Sequence, residues 1–344
     1  MSMRTEISTI GEFGLIRRLT ENISTGNSST IQGIGDDAAV LEYSRKQVLV
    51  TTDLLLEGIH FDLSYSPLKH IGYKAAIVNF SDIYAMNGHP KQITVSIGIS
   101  KRFCIEELEE FYMGLKLACS IYGVDIIGGD TSTSLTGLAI SITCIGEADK
   151  GKIVYRNGAK DGNIICVSGD LGAAYMGLQL LEREKQMFED LRNDFVADFS
   201  GKEYLLERQL KPEARKDVID MLEQASVIPT AMIDISDGLS SELLHITHAS
   251  GTGCRIYEER IPIDYQTAAM AETFNMNVVT AALNGGEDYE LLFTVPISSY
   301  DIITAMNGIH VIGYVSEAAM GNCLIGRDGG EIPLMAQGWN PLGG

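Results

Sequence analysis

Four short hydrophobic runs in this 344-residue chain end in aspartate beside small residues: GIGDD at 33–37, LVTTD at 49–53, IIGGD at 126–130 and MIDISD at 232–237. A β run that stops on a carboxylate places that carboxylate at the rim of a sheet. Glycine, serine and threonine neighbours then let an ion or a phosphate approach the backbone. One such run is ordinary, and several in one chain suggest a shared multi-metal site. Helical spacing fills much of the sequence between them, so the fold class is mixed, α/β or α+β.

The pattern along the chain sets more specific expectations. Residues 12–19 read as a short amphipathic helix, 48–52 as a strand, and 69–86 as a helix that Asn87 and Gly88 would end. Asp82 falls inside that helix near a face boundary, where it can reach a sheet edge. A strand is expected over 92–100, and an apolar stripe from Ile105 to Tyr122 recurs at helical spacing. Further strands are expected at 124–128, 137–146, 163–168, 231–235, 291–295 and 311–315. Residues 182–208 are rich in charge and read as a solvated helical or loop excursion. Asp237 or Ser240 is expected to cap a helix that Gly251 ends. The length suits two domains, 1–150 and 151–344, joined at a turn near 147–151.

Composition excludes several classes. The formal net charge of −20 argues against binding nucleic acid through its phosphates. An acidic chain can still hold a polyanion when divalent cations sit between carboxylates and phosphates. No apolar stretch approaches the ~18 residues of a membrane span, and the amino terminus lacks the apolar core of a secretory signal, so a cytoplasmic address is expected. The six cysteines are scattered with no CxxC pair and read as reduced, mostly buried thiols.

No GxxxxGK[ST] or GxGxxG sequence occurs, which excludes a Walker-type loop and leaves a dinucleotide fingerprint unsupported. The residues themselves point instead to Mg²⁺ held by Asp37, Asp53, Asp82, Asp130 and Asp234, with Thr51 and Thr52 offering hydroxyl or carbonyl oxygens. Taken singly, each aspartate fits a turn or a helix cap equally well. Taken together, the pairs Asp36–Asp37 and Asp234–Asp237 place like charges at a cost that a metal relieves. Arg156 is a candidate phosphate fork, although its spacing also fits a surface arginine before a turn. His60 is a candidate substrate contact. The GGEDYE segment at 285–290 suits a cationic or hydrogen-bonding ligand better than a phosphate.

Six blocks in order, GIGDDAA (33–39), TTD (51–53), NFSD (79–82), IGGDT (127–131), DISDG (234–238) and GGEDYEL (285–291), resemble the thiamine-monophosphate kinases. These belong to the superfamily that includes aminoimidazole ribonucleotide synthetase and selenophosphate synthetase. The resemblance implies a two-domain aminoimidazole ribonucleotide synthetase-like fold whose amino-terminal domains pair in a homodimer. It also implies direct, Mg²⁺-assisted phosphoryl transfer from ATP to thiamine monophosphate. Carried over by position, Asp37, Thr51, Thr52, Asp53, Asp82, Asp130, Asp234 and Asp237 would hold magnesium, and Asp53, Asp130 and Asp237 would be catalytic. Gly129, Asp130, Arg156, Ser236 and Tyr122 would contact ATP, while His60, Glu287 and Trp339 would meet the substrate. An aminoimidazole ribonucleotide synthetase is the enzymatic alternative, and a non-catalytic Mg²⁺ or Ca²⁺ binder the alternative of another class.

Overall fold

The computed structural model describes residues 5, 9, 11–34, 39–43, 45–191 and 197–337. Asp37 and Trp339 lie outside these. The chain divides into two compact units, Met1–Ile83 with Gly88–Gly151, and Tyr84–Asn87 with Lys152–Gly344.

The first unit opens with helix α1 (Gly11–Thr20) and the short strands β1 (Thr30–Gln32) and β2 (Val40–Leu41). There follow β3 (Gln47–Leu56), α2 (Leu68–Ala85), β4 (His89–Ile99), α3 (Ile105–Tyr122), β5 (Asp125–Thr133) and β6 (Ala139–Ala148). Four of these strands form a sheet in the order β3-β6-β4-β5, antiparallel except for the β4–β5 pair. Along β3 the side chains alternate: Leu49 and Leu55 are buried, whereas Val48, Val50, Thr52 and Leu54 are exposed. The period of two therefore puts Thr51 and Asp53 on the covered face. Helices α2 and α3 pack backbone to backbone, since a Cβ on Gly114 would fall 1.7 Å from the Lys69 carbonyl oxygen and one on Gly72 would fall 2.0 Å from that of Phe111. Only glycine permits that approach.

The second unit contains β7 (Ile164–Ser168), α4 (Ala173–Leu191), α5 (Glu203–Leu210), α6 (Lys216–Gln224), β8 (Ala231–Asp234), α7 (Leu239–Ser250) and β9 (Thr252–Tyr257). It continues with α8 (Tyr265–Thr273), α9 (Val278–Asn284), β10 (Leu291–Val295), α10 (Tyr300–Thr304), β11 (Ile309–Glu317), β12 (Asn322–Ile325) and β13 (Glu331–Pro333). Its seven-stranded sheet runs β13-β12-β9-β11-β7-β10-β8. One core cluster joins Ile165, Val167, Ile233, Leu239, Leu243, Ile246 and Ile256, and a second joins Met176, Leu180, Leu205, Met270 and Ala281. Five cysteines are buried, Cys323 is half-buried, and all six are free.

Three expectations need correction. Asp53 and Asp130 do not end their strands: β3 continues to Leu56 and β5 to Thr133, so of the three described runs only the one at Asp234 closes a strand. Continued pairing explains this, because Asp53 lies opposite Ile142 and Asp130 opposite Ser96 within ladders that run on past both. The segment 182–208 is solvated only in part: residues 186–190 are exposed, but Glu184 and Leu205 are buried and α5 packs on α4. Neither Asp237 nor Ser240 caps α7: Gly238 holds the N-cap position at φ 118°, with no side-chain cap. Gly251 ends the helix in the left-handed region, as its residue type demands.

Candidate active site

In the first unit, β3 and α2 bring together Thr51, Asp53 and Asp82. The Thr51 hydroxyl donates to Asp82 Oδ2 at 2.5 Å. Asp53 Oδ2 is buried with no hydrogen-bond partner. Burial, and then the neighbouring Asp82 carboxylate, push the Asp53 carboxyl up to about 6. An orphaned, half-buried acid beside a second acid is a poor structural element and a good half-shell for a hard cation. Thr52 faces the other way. Its hydroxyl donates to the Ile142 carbonyl and accepts from Thr143, each at 3.1 Å.

Gly129 and Asp130 lie exposed in the edge strand β5. A Cβ on Gly129 would fall 1.9 Å from the Val95 carbonyl oxygen, which accounts for glycine there. Asp53 lines up across Ile142 and Val95 with Gly129, so Asp53 and Asp130 stand on opposite edges of the sheet, one residue out of step. Three strand spacings of ~4.8 Å separate them by ~14 Å. They do not share an ion within one sheet. Tyr122 is half-buried at the end of α3, its ring 5.5 Å from that of Phe80. His60 is exposed in the turn after β3, and its Nδ1 accepts the Leu56 N–H at 3.0 Å. In the neutral ring, that leaves Nε2–H as a donor.

In the second unit, Asp234 is buried at the end of β8, Ser236 is exposed and Asp237 is half-buried. A carboxylate that the sequence reading missed joins them. Glu242 is buried, its Oε1 accepts the Asp237 N–H at 3.1 Å and its Oε2 has no hydrogen-bond partner. Burial pushes its carboxyl up to about 8, with Asp237 and Asp234 adding to the effect. Burial raises Asp237 too, against the opposing charge of His245. The signal for Glu242 was present: it lies three residues after Leu239 and four before Ile246, an acid on the apolar face of a helix.

The GGEDYEL segment lies along this cluster. Glu287 N–H donates to the Ser236 carbonyl at 2.7 Å, and Tyr289 N–H to that of Ile235 at 2.9 Å. Glu287 is thereby brought beside Ser236. Arg156 is exposed in the loop before β7, and its carbonyl accepts from the Ser250 hydroxyl at 3.3 Å. Among the described residues, no three His, Cys, Asp or Glu side chains converge as a ready-made metal cage. Pairs of acids with open coordination suit Mg²⁺, which keeps waters and shares substrate phosphates.

Residues 35–148 match the family described as AIR synthase related protein, N-terminal domain, and residues 160–295 match the corresponding C-terminal domain. Two domains of this kind, each carrying its own acidic cluster, define the class. A thiamine-monophosphate kinase of Aquifex aeolicus (strain VF5) is 37% identical over 83% of this chain and 86% of its own length. One from Bacillus subtilis (strain 168) is 35% identical over 96% of this chain and 98% of its own. A solved structure of AaThiL complexed with AMPPCP and TMP is 33% identical with a TM-score of 0.74, covering 99% of this chain and all (100%) of that one. The chain belongs to the thiamine-monophosphate kinases of the AIR synthase related family.

Proposed function

We propose that the protein phosphorylates thiamine monophosphate to thiamine diphosphate with ATP, by direct Mg²⁺-assisted transfer. The observation that carries the reading is that each family domain holds an acid with an unpartnered carboxylate oxygen beside further acids: Asp53 next to Asp82, and Glu242 next to Asp234 and Asp237. Buried carboxylates held at raised pKa are costly unless cations and phosphates complete them. Thr51, Asp53, Asp82, Asp130, Asp234 and Asp237 would hold magnesium, joined on sequence grounds by Asp37 and Thr52. When bound, the metal neutralises charge on phosphate oxygens in a loose transition state.

The remaining work falls to positioning. Gly129, Asp130, Arg156, Ser236 and Tyr122 would contact ATP. His60, through Nε2–H, and Glu287 and Trp339 would meet thiamine monophosphate. Asp53, Asp130 and Asp237 are the catalytic candidates. No nucleophile–base pair is required, so transfer is expected to be sequential. Residues 1–150 would serve metal and ATP binding and dimerisation, and 151–344 would complete nucleotide and substrate binding.

A homodimer fits two features of the first sheet. Val48, Val50 and Leu54 are exposed on one face of β3. In addition, β3 and β5 are the two edges of the sheet, so pairing β3 of one copy with β5 of another would bring the strand carrying Asp53 next to the strand carrying Asp130. Among the described residues no helix is long and apolar enough to cross a membrane, and a cytoplasmic location fits the substrates. The test is incubation with ATP, Mg²⁺ and thiamine monophosphate. Formation of thiamine diphosphate with stoichiometric ADP is expected, and its absence at any metal concentration overturns the reading.

A further inference from the structure

The GGEDYEL segment is held in a conformation it would not choose alone. Gly286, Glu287 and Tyr289 have φ of 72°, 58° and 52°. For a glutamate and a tyrosine this is unfavourable and persists only where the surroundings over-determine it. The surroundings here are α5 and the residue Arg215 beyond it. Glu290 is buried and takes Arg208 Nη1 at 2.8 Å, the Ser168 hydroxyl at 2.5 Å, and Arg215. Asp288 is buried, accepts the Gly172 N–H at 2.8 Å and lies 3.7 Å from Arg208 Nη2. Burial works against the Arg208 charge, but the Glu290 and Asp288 carboxylates outweigh it and push its pKa up.

These contacts fix the residues on the carboxyl side of Glu287, and one side chain reaches Glu287 itself. Gln209, next to Arg208 on α5, is only 5% exposed, and its Nε2 donates to Glu287 Oε2 at 2.9 Å. A buried primary amide is costly without a partner, and this one spends a donor on the carboxylate assigned to the substrate.

We infer that Gln209 is a positioning residue for thiamine monophosphate, acting through Glu287 by locking the direction of its carboxylate. The role rests on the reading that Glu287 meets the substrate. It assigns a purpose in recognition to helix α5, within the charged 182–210 region.

Steady-state kinetics of the full chain with Mg²⁺ test it. Gln209→Leu should raise KM for thiamine monophosphate about tenfold, while kcat and KM for ATP stay within about twofold. Combined with Glu287→Ala, it should add nothing to the KM of Glu287→Ala alone, because the amide acts only through that carboxylate. Gln209→Met, close in length and equally apolar, provides the same reading should the leucine variant fold poorly. An unchanged KM for thiamine monophosphate, equal changes in both KM values, or multiplying effects in the double variant overturns the inference. If Glu287→Ala itself leaves that KM unchanged, the substrate assignment of Glu287 fails first, which the single variant shows by itself.

Discussion

Replacing Asp53 with asparagine should make the metal-free protein more stable while removing its activity. Asp53 is raised from the usual 3.8 to about 6 by burial and by Asp82. Between those values the folded protein holds a proton that the unfolded chain has released, so stability falls as pH rises through this window and stays reduced above about 6. A shift of roughly two units corresponds to ~3 kcal/mol. Asparagine has nearly the same shape and no charge, so Asp53→Asn should recover most of that amount at pH 8 and much less near pH 4. For a unit of this size the melting transition should rise by about 5–10 °C. The assay is thermal unfolding of both proteins in excess chelator across this pH range, repeated with Mg²⁺, which should stabilise the parent more than the variant. A variant no more stable than the parent at pH 8, or an advantage independent of pH, would refute the assignment of Asp53 as a strained acid awaiting a cation.

Asp130→Asn should lower turnover by orders of magnitude with an unchanged melting curve, because Asp130 is exposed in an edge strand; near-normal turnover would make it an ordinary surface residue. Arg215→Ala leaves the buried Glu290 with one cationic partner fewer and should cost about 3 kcal/mol in urea unfolding, whereas a loss below about 1 kcal/mol would show that Arg208 and Ser168 suffice. Excess chelator should abolish thiamine diphosphate formation, and re-added Mg²⁺ should restore it; turnover persisting in chelator would contradict the role given to the acids.

Local signals carried much of the fold into view. The stripe from Ile105 to Tyr122 forms α3, and the Asn87–Gly88 stop ends α2 with Asn87 at φ 56°. Its place near a face boundary led Asp82 to be expected at a sheet edge, and its contact is with Thr51 of the edge strand β3. Where the chain departs from its sequence pattern, long-range pairing decides. Nothing local says that β3 runs past Asp53, because its partner β6 lies about 90 residues on. The charges of 182–208 look solvated until Arg208 finds Glu290, 82 residues away. Gly238 takes the α7 N-cap position because its φ of 118° suits glycine and neither Asp237 nor Ser240.

The sheet order of the second unit also bears on how the chain is made. Strand β7, all five residues of it buried, is flanked by β10 and β11. Leu291, the first residue of β10, meets Ser168 across 123 residues of sequence. At ~5–20 residues per second, a ribosome leaves β7 without either neighbour for roughly 6–25 s. During that interval an apolar strand with two unpaired edges is a template for other nascent chains. Yield in a cell should therefore depend on synthesis rate and chaperone supply more steeply than the stability of the finished protein suggests.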